Sequence, residues 1–326
     1  MPVFAFLGAL AFIDSYKLVS FRRILQAVVW GCGAAGFCYL VNSAVVARTG
    51  WDAFWYSRLG APILEEVVKA IWIIWLIRTA QIGFMVDAAI CGVATGAGFA
   101  LVENATDLHL LGGSTLALWT LRGFGTAMMH GGATAITGVS AIYALASGRL
   151  RGIAAFVPGL LLAIAIHSAW NAAVLTPLAA SITVLLGLPV LFSVLFIVSE
   201  KSLRKWMGDK LDKDVELLRM ISTGGFLDTN AGRYLRALRR SLSPYIVGDM
   251  LCLLQISLEL SVRAKGDLMR REAGFPVEHD ALVTAQLREL DFLTKSIGIA
   301  GRRALTPLLP FSRQDLWEMH RLSDPD

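Results

Sequence analysis

The chain has 326 residues, of which 56% are hydrophobic and 17% charged, and its mean hydropathy is +0.60. This composition lies outside the balance of soluble globular domains, so it excludes an ordinary soluble enzyme and favours an integral membrane protein. The charge is unevenly placed, because residues 1–199 are almost entirely apolar and residues 200–326 are rich in Arg, Lys, Asp and Glu. We predict a membrane domain over 1–199 and a helical cytoplasmic domain over 200–326.

The apolar runs predict the membrane-spanning helices. A helix needs about 20 predominantly apolar residues to cross the hydrocarbon core of a bilayer. The candidate runs, of which the first is short, are 1–14, 24–47, 59–78, 83–105, 115–146, 152–175 and 178–199. The sequence therefore predicts an all-α polytopic membrane protein with about seven transmembrane helices.

Basic residues alternate between the loops and predict the orientation. They follow the first, third, fifth and seventh spans, and loops rich in Lys and Arg lie on the cytoplasmic side. The N-terminus is then outside and the C-terminus cytoplasmic. The loop 48–58 holds Arg48 and Arg58 but also an aromatic group that is typical of a membrane interface, so we place it outside; this group is Trp51, Phe54, Trp55 and Tyr56.

Polar residues within the spans are the candidate functional groups, since ionisable side chains in a membrane are costly and usually face a partner or a cavity. The third span contains Glu65-Glu66-Val67-Val68-Lys69. Glu65 and Lys69 are four residues apart, which predicts an ion pair on one helix face and leaves Glu66 free. The alternative interpretation is an acidic cluster that complements the dipole at a helix start, with Lys69 reaching the interface.

Three further spans carry polar residues in the same outer half of the bilayer, with His130 the deepest. A lone histidine there often only bonds one helix to another, and a carboxylate at a helix end is often a simple cap. Two histidines, an asparagine and three glutamates in one half of the bilayer favour a shared, water-accessible cavity. The residues of these three spans are Glu103 and Asn104, then Arg122 and His130, and then His167, Trp170 and Asn171.

These motifs together resemble the PrsW family of intramembrane proteases, within the superfamily that includes the CAAX prenyl endopeptidases and the Abi proteins. The resemblance covers all seven predicted spans. It implies hydrolysis of a peptide bond in a membrane-associated protein, and a multi-pass protein of a bacterial plasma membrane. The residues that carry it are Glu65-Glu66-x-x-Lys69, Gly98-Phe99-Ala100-x-x-Glu103-Asn104, Arg122 with His130, and His167-x-x-Trp170-Asn171.

Amide hydrolysis needs an activated water, a stabilised oxyanion and a proton for the leaving nitrogen. We predict that Glu66, helped by Glu65 and His130, activates the water near the outer membrane face. His167 and Asn171, one helical turn apart, would stabilise the oxyanion. The supporting residues are expected to be Lys69, Glu103, Asn104, Arg122 and Trp170.

Other functions use the same residues. A zinc-dependent version of the hydrolysis would take its ligands from Glu66, Glu103, His130 and His167, and carboxylate and imidazole are suitable zinc ligands. The sequence contains no HExxH motif, so we favour a site without a cofactor. A non-catalytic membrane scaffold, a lipid hydrolase and a transporter remain alternatives; the complete set of polar residues disfavours the scaffold.

The sequence of the tail, residues 200–326, predicts amphipathic helices at about 201–221, 231–241, 244–273, 279–300 and 313–322. Ser243 before Pro244 is a typical helix start, and Gly274 a typical stop. The apolar centre of the third helix could suggest another span, but charged residues break it too early. We expect the tail to bind a regulatory partner or to self-associate. The basic segment 233–240 suggests a solvated face or a lipid-headgroup contact rather than a nucleic-acid site.

Overall fold

A computed structural model describes residues 7–10, 12, 14, 16, 18–110, 116–277, 280–309 and 313–323. Side chains are described for these residues except 107–110, 116–122, 177 and 313. Over this part of the chain the regular structure is entirely helical, with no strand. The predicted all-α membrane fold is therefore confirmed. The described residues divide into two compact units, Met1–Glu200 and Lys201–Pro325.

The first unit is built from long helices that match the predicted spans from the second onward. The short first span, 1–14, lies largely outside the described residues. A three-residue helical turn, Ala53–Trp55, and a π-helical segment, Tyr56–Gly60, precede the second long helix, and a 3₁₀ turn, Gly152–Phe156, precedes the fifth. The long helices are α1 (Phe21–Thr49), α2 (Ala61–Arg78), α3 (Met85–Leu110), α4 (Leu116–Ala146), α5 (Val157–Asn171) and α6 (Pro177–Ser222).

Local sequence explains where several of these helices begin and end. Ser20 caps α1 by accepting a hydrogen bond from the Arg23 amide, and Gly50 ends it in the left-handed conformation that glycine adopts at low cost. Pro62 stands in the first turn of α2, where a missing amide hydrogen is not needed. Asp87 accepts hydrogen bonds from the Gly83 and Phe84 amides and fixes the approach to α3.

Five helical stretches in the described part of the chain are long and apolar enough to cross a membrane: Phe21–Thr49, Met85–Thr106, Gly152–Asn171, Leu178–Ser222 and Pro244–Glu272. Many apolar side chains of α1 and α6 are exposed, as lipid-facing residues are. Leu40 is 68% exposed and Leu186 is 67% exposed. By contrast, 83% of the apolar window of α3 is buried, so α3 is the central helix of the unit.

Glycines allow the helices of the first unit to approach each other closely. A Cβ atom at Gly96 of α3 would overlap the backbone of His130 and Gly131 on α4. Cβ atoms at Gly31 and Gly98 would overlap the backbones of α3 and α1, respectively. Small residues at such crossings are how membrane helices pack without large apolar side chains between them. The crossing at Gly96 sets the position of His130.

The second unit is a helical bundle around α8. Its other helices are α7 (Asn230–Leu238), α9 (Ala281–Ser296), α10 (Gly298–Leu305) and α11 (Arg313–Ser323), and α6 continues into it. The start of α8 (Pro244–Glu272) is as predicted, because the Ser243 hydroxyl accepts from the Ile246 amide. Although α8 is apolar enough to span a membrane, Met250 and Leu254 are fully buried in the core of the bundle.

Candidate active site

Four helices of the first unit bring the predicted polar residues into one buried cluster. Helix α2 carries the two glutamates and the lysine, α3 carries Glu103, α4 carries His130 and α5 carries His167. The lysine and both histidines are completely buried, and Glu66 is 1% exposed. The site reaches the protein surface at Glu103, whose side chain is 33% exposed. The residues that we define as the site cluster are Glu65, Glu66, Lys69, Glu103, His130 and His167.

Lys69 is the cation at the centre of the site cluster. Its Nζ lies 2.5 Å from Oε1 of Glu66 and 2.8 Å from Nδ1 of His130. The sequence-based expectation that Lys69 pairs with Glu65 is wrong. Helix spacing puts both glutamates within reach of Lys69. Only Glu66 lies where the Lys69 ammonium can contact it and His130 of the neighbouring helix α4 at the same time.

The two histidines have different hydrogen-bond environments. His130 has both ring nitrogens engaged, Nδ1 by Lys69 and Nε2 by Oε2 of Glu103 at 2.5 Å. Since an ammonium group only donates, His130 accepts at Nδ1 and donates from Nε2 to Glu103. His167 lies with its ring perpendicular to that of His130, at 4.7 Å between ring centres. Its Nδ1 lies 2.8 Å from Oε1 of Glu66.

The bond to Glu66 fixes which nitrogen of a neutral His167 carries the hydrogen. A carboxylate accepts, so Nδ1 of His167 donates and Nε2 of the neutral ring carries a lone pair. Among the residues that the structure describes, this buried Nε2 atom has no hydrogen-bond partner, and neither has Oε2 of Glu65 or Oε2 of Glu66. Nε2 of His167 and Oε2 of Glu65 lie 3.6 Å apart. Two buried acceptors that face each other need a proton donor, because an unpaired buried polar atom costs about 1–3 kcal/mol.

Glu65 is held by residues that sequence analysis missed. The Asn42 amide nitrogen donates to Oε1 of Glu65 at 3.0 Å, and the Tyr56 hydroxyl donates to Oδ1 of Asn42 at 2.7 Å. Tyr56 is only 6% exposed and packs inside the protein, whereas Trp51 and Trp55 of the same predicted interfacial group are about half exposed. The available signal was Asn42 itself, a lone amide within an apolar run.

The remaining predicted residues lie around the site cluster. The Asn171 amide donates to the backbone carbonyl of Ser57 at 2.9 Å, so it does not converge with His167, contrary to expectation. Asn104 donates to the Gly123 carbonyl and joins α3 to α4. Trp170 packs beside Gly125, where a Cβ atom would lie 2.8 Å from its ring. The Arg122 side chain lies outside the described residues.

The metal alternative can be tested on the donor atoms. One ligand atom from each of Glu66, His130 and His167 lies within 4.8 Å of the others, and all three residues are buried. The fourth expected ligand, Glu103, bonds the far side of His130. Because Glu103 bonds Nε2 of His130, only Nδ1 of that ring could bind a metal. The Lys69 ammonium already bonds this Nδ1 atom and Glu66. With that charge in place, the donor set does not fit a divalent cation.

Fold and site together define a polytopic membrane protein with a buried centre of carboxylates and imidazoles. The family model described as PrsW family intramembrane metalloprotease matches residues 20–199. This is more than half of the chain, and the chain therefore belongs to the PrsW family of intramembrane proteases. Comparison with curated proteins and with solved structures gave no match.

Proposed function

We propose that this protein hydrolyses a peptide bond of a membrane-associated protein with a water molecule held between Glu65 and His167, without a metal ion. The observation that carries the proposal is the 3.6 Å approach of Oε2 of Glu65 and Nε2 of His167, two atoms that have no hydrogen-bond partner among the described side chains. A water that contacts both atoms would donate one hydrogen to each. That arrangement exposes an oxygen lone pair to a substrate carbonyl carbon.

The assignment of roles changes from the sequence-based one. Glu66 lies against the Lys69 ammonium and also accepts from His167, which suits a residue that orients the imidazole. Glu65 receives only the neutral amide of Asn42. Among the described residues both glutamates have one oxygen without a hydrogen-bond partner, but that of Glu65 lies 3.6 Å from Nε2 of His167. Glu65 is therefore the better general base, and Glu66 and Lys69 position His167.

The reaction follows from these positions. Glu65 takes a proton from the water as its oxygen bonds to the carbonyl carbon of the substrate. The tetrahedral intermediate then breaks its carbon–nitrogen bond, and the same proton passes from Glu65 to the leaving nitrogen. Asn171 can stabilise the oxyanion only after it releases the Ser57 carbonyl. We place this site near the outer membrane face and the tail in the cytoplasm, as the charge of the loops predicts.

The test is cleavage by the full-length protein in liposomes, with a panel of quenched-fluorescent single-span peptides in ¹⁸O-labelled water. Glu65→Gln and His167→Ala should each lower the rate about 10²- to 10⁴-fold, because a positioned acid–base group contributes about that much. Glu289→Gln, the same chemical change at an exposed position of the tail, should have no effect. The new carboxyl terminus should carry one ¹⁸O atom.

Retained activity in Glu65→Gln would contradict the assignment of the base. A wild-type protein that cleaves no peptide in the panel but releases fatty acid from the liposomes would instead favour the lipid hydrolase.

A further inference from the structure

Tyr56 and Asn42 form a short chain of hydrogen bonds that ends on Glu65. Asn42 lies on α1, Tyr56 begins the π-helical segment, and Glu65 lies on α2. No polar group other than Asn42 bonds the Glu65 carboxylate within 3.5 Å in the described part of the chain. The orientation of this carboxylate therefore depends on a residue outside the motifs that carry the family resemblance.

The Glu65 carboxylate determines which way the Asn42 amide points, and the Tyr56 hydroxyl bonds the other end of that amide. An asparagine side chain has one acceptor end and one donor end, and the two are interchanged by a rotation of half a turn. A carboxylate at one end requires the amide nitrogen there, so the amide oxygen faces Tyr56 and accepts its hydroxyl hydrogen. The carboxylate excludes the rotated amide, which would turn an oxygen toward Glu65, and Tyr56 holds the Asn42 side chain in place by donating to its amide oxygen.

Gly60 provides the space for Tyr56. A Cβ atom at Gly60 would lie 2.5 and 2.6 Å from two atoms of the Tyr56 ring, which is closer than real contacts allow. The π-helical segment Tyr56–Gly60 brings the ring over this glycine. Such segments occur often at functional sites.

We propose that Asn42 and Tyr56 are positioning residues for catalysis: they hold one oxygen of Glu65 so that the other faces His167. This inference rests on the proposed function of Glu65. The pair does not touch the substrate, so it acts on the chemical step through the orientation of the base. Tyr56 acts only through Asn42.

The test is a double-mutant cycle of Asn42→Ala and Tyr56→Phe in the liposome assay. Misplacement of a reacting group by about 1 Å costs about 100-fold in rate, so Asn42→Ala should lower kcat by that order and leave KM within about twofold. Tyr56→Phe removes one hydrogen bond and should lower kcat about fivefold to tenfold. The double variant should be no worse than Asn42→Ala, since Tyr56 has no separate effect.

The matched control is Tyr39→Phe, the same change at a residue of α1 that is 56% exposed, which should keep the wild-type kcat. Gly60→Ala should lower kcat as Tyr56→Phe does. Unchanged kcat in Asn42→Ala, or losses that simply add in the double variant, would overturn the positioning role and leave the proposed hydrolysis intact. A wild-type protein that is inactive on every peptide would overturn both proposals. If Asn42→Ala does not fold, the Tyr56→Phe result decides alone.

Discussion

Each unit of the molecule contains a completely buried lysine among carboxylates, and the two clusters differ in how their polar atoms are satisfied. In the second unit, Lys265 contacts Asp214 at 3.0 Å and Glu318 at 2.8 Å, and the Ser261 hydroxyl bonds both carboxylates. In the site cluster, Lys69 contacts Glu66, but within the described part of the chain Oε2 of each glutamate of α2 and Nε2 of His167 have no hydrogen-bond partner.

The difference indicates different purposes for similar residues. A buried ion pair whose members bond one another fixes helices in place, and its value for stability is modest. Around Lys265 the pairs join α6, α8 and α11, which is what a structural cluster requires. Buried acceptors without hydrogen bonds lower the stability of the folded protein, and a purely structural cluster would not retain them at one point. They indicate a place for a reacting molecule.

Exchanging each lysine for methionine tests this comparison with the largest expected effect. Lys69→Met leaves Glu66 buried without its cation and disturbs His167, so cleavage should fall at least 100-fold. Lys265→Met removes the cation that pairs with Asp214 and Glu318 and should lower the free energy of unfolding by about 3–5 kcal/mol. Its activity per folded molecule at low temperature should match the wild type. Liposome cleavage and thermal unfolding measure the two effects.

The opposite pattern would remove the distinction between the clusters. If Lys265→Met were inactive while folded, the second unit would take part in the reaction.

A smaller effect is expected from pH on the second unit. Burial raises the pKa of Glu318 to about 7, although Lys265 and Ser261 oppose the shift. The folded protein then binds a proton more tightly than the unfolded chain, whose glutamate titrates near 4.5. This contribution to stability is present at low pH and is lost as the pH rises from about 4.5 to about 7.

Thermal unfolding of the full-length protein in detergent should reveal the contribution of Glu318. The difference in Tm between the wild type and Glu318→Gln should change by several degrees between pH 5 and pH 8, with the wild type losing more as the pH rises. Glu289→Gln, at an exposed position, should follow the wild type. A pH-independent difference would mean that Glu318 keeps its ordinary pKa in the folded protein.

The sequence predicts the helices and the residues of the site cluster, but not which of those residues bond each other. Apolar runs identified six of the long helices, because the length of a span is set by the bilayer. Glu66, Lys69, His130 and His167 were found because charged and imidazole groups are rare in lipid. That Lys69 would choose Glu66 over Glu65 could not be read from spacing, since a helix allows both.

Two further residues show what a one-dimensional pattern leaves out. Asn42 was missed because its importance comes from Tyr56 and Glu65, which lie on other segments of the chain. Asn171 was expected beside His167 because one helical turn separates them, but its amide bonds Ser57 on the π-helical segment. In both cases the partner lies on another helix, at a rotation that the sequence does not specify.

The most direct test of the central claim is one preparation in which bound metal and cleavage rate are measured together. The purified protein would be treated with chelator, analysed for metal by mass spectrometry and assayed on the single-span peptides with Glu65→Gln alongside. We expect less than one metal ion per ten protein molecules, a wild-type rate unchanged by the chelator, and loss of cleavage in Glu65→Gln. Loss of wild-type cleavage with the metal, and its return with added zinc, would contradict a water held by Glu65 and His167 alone.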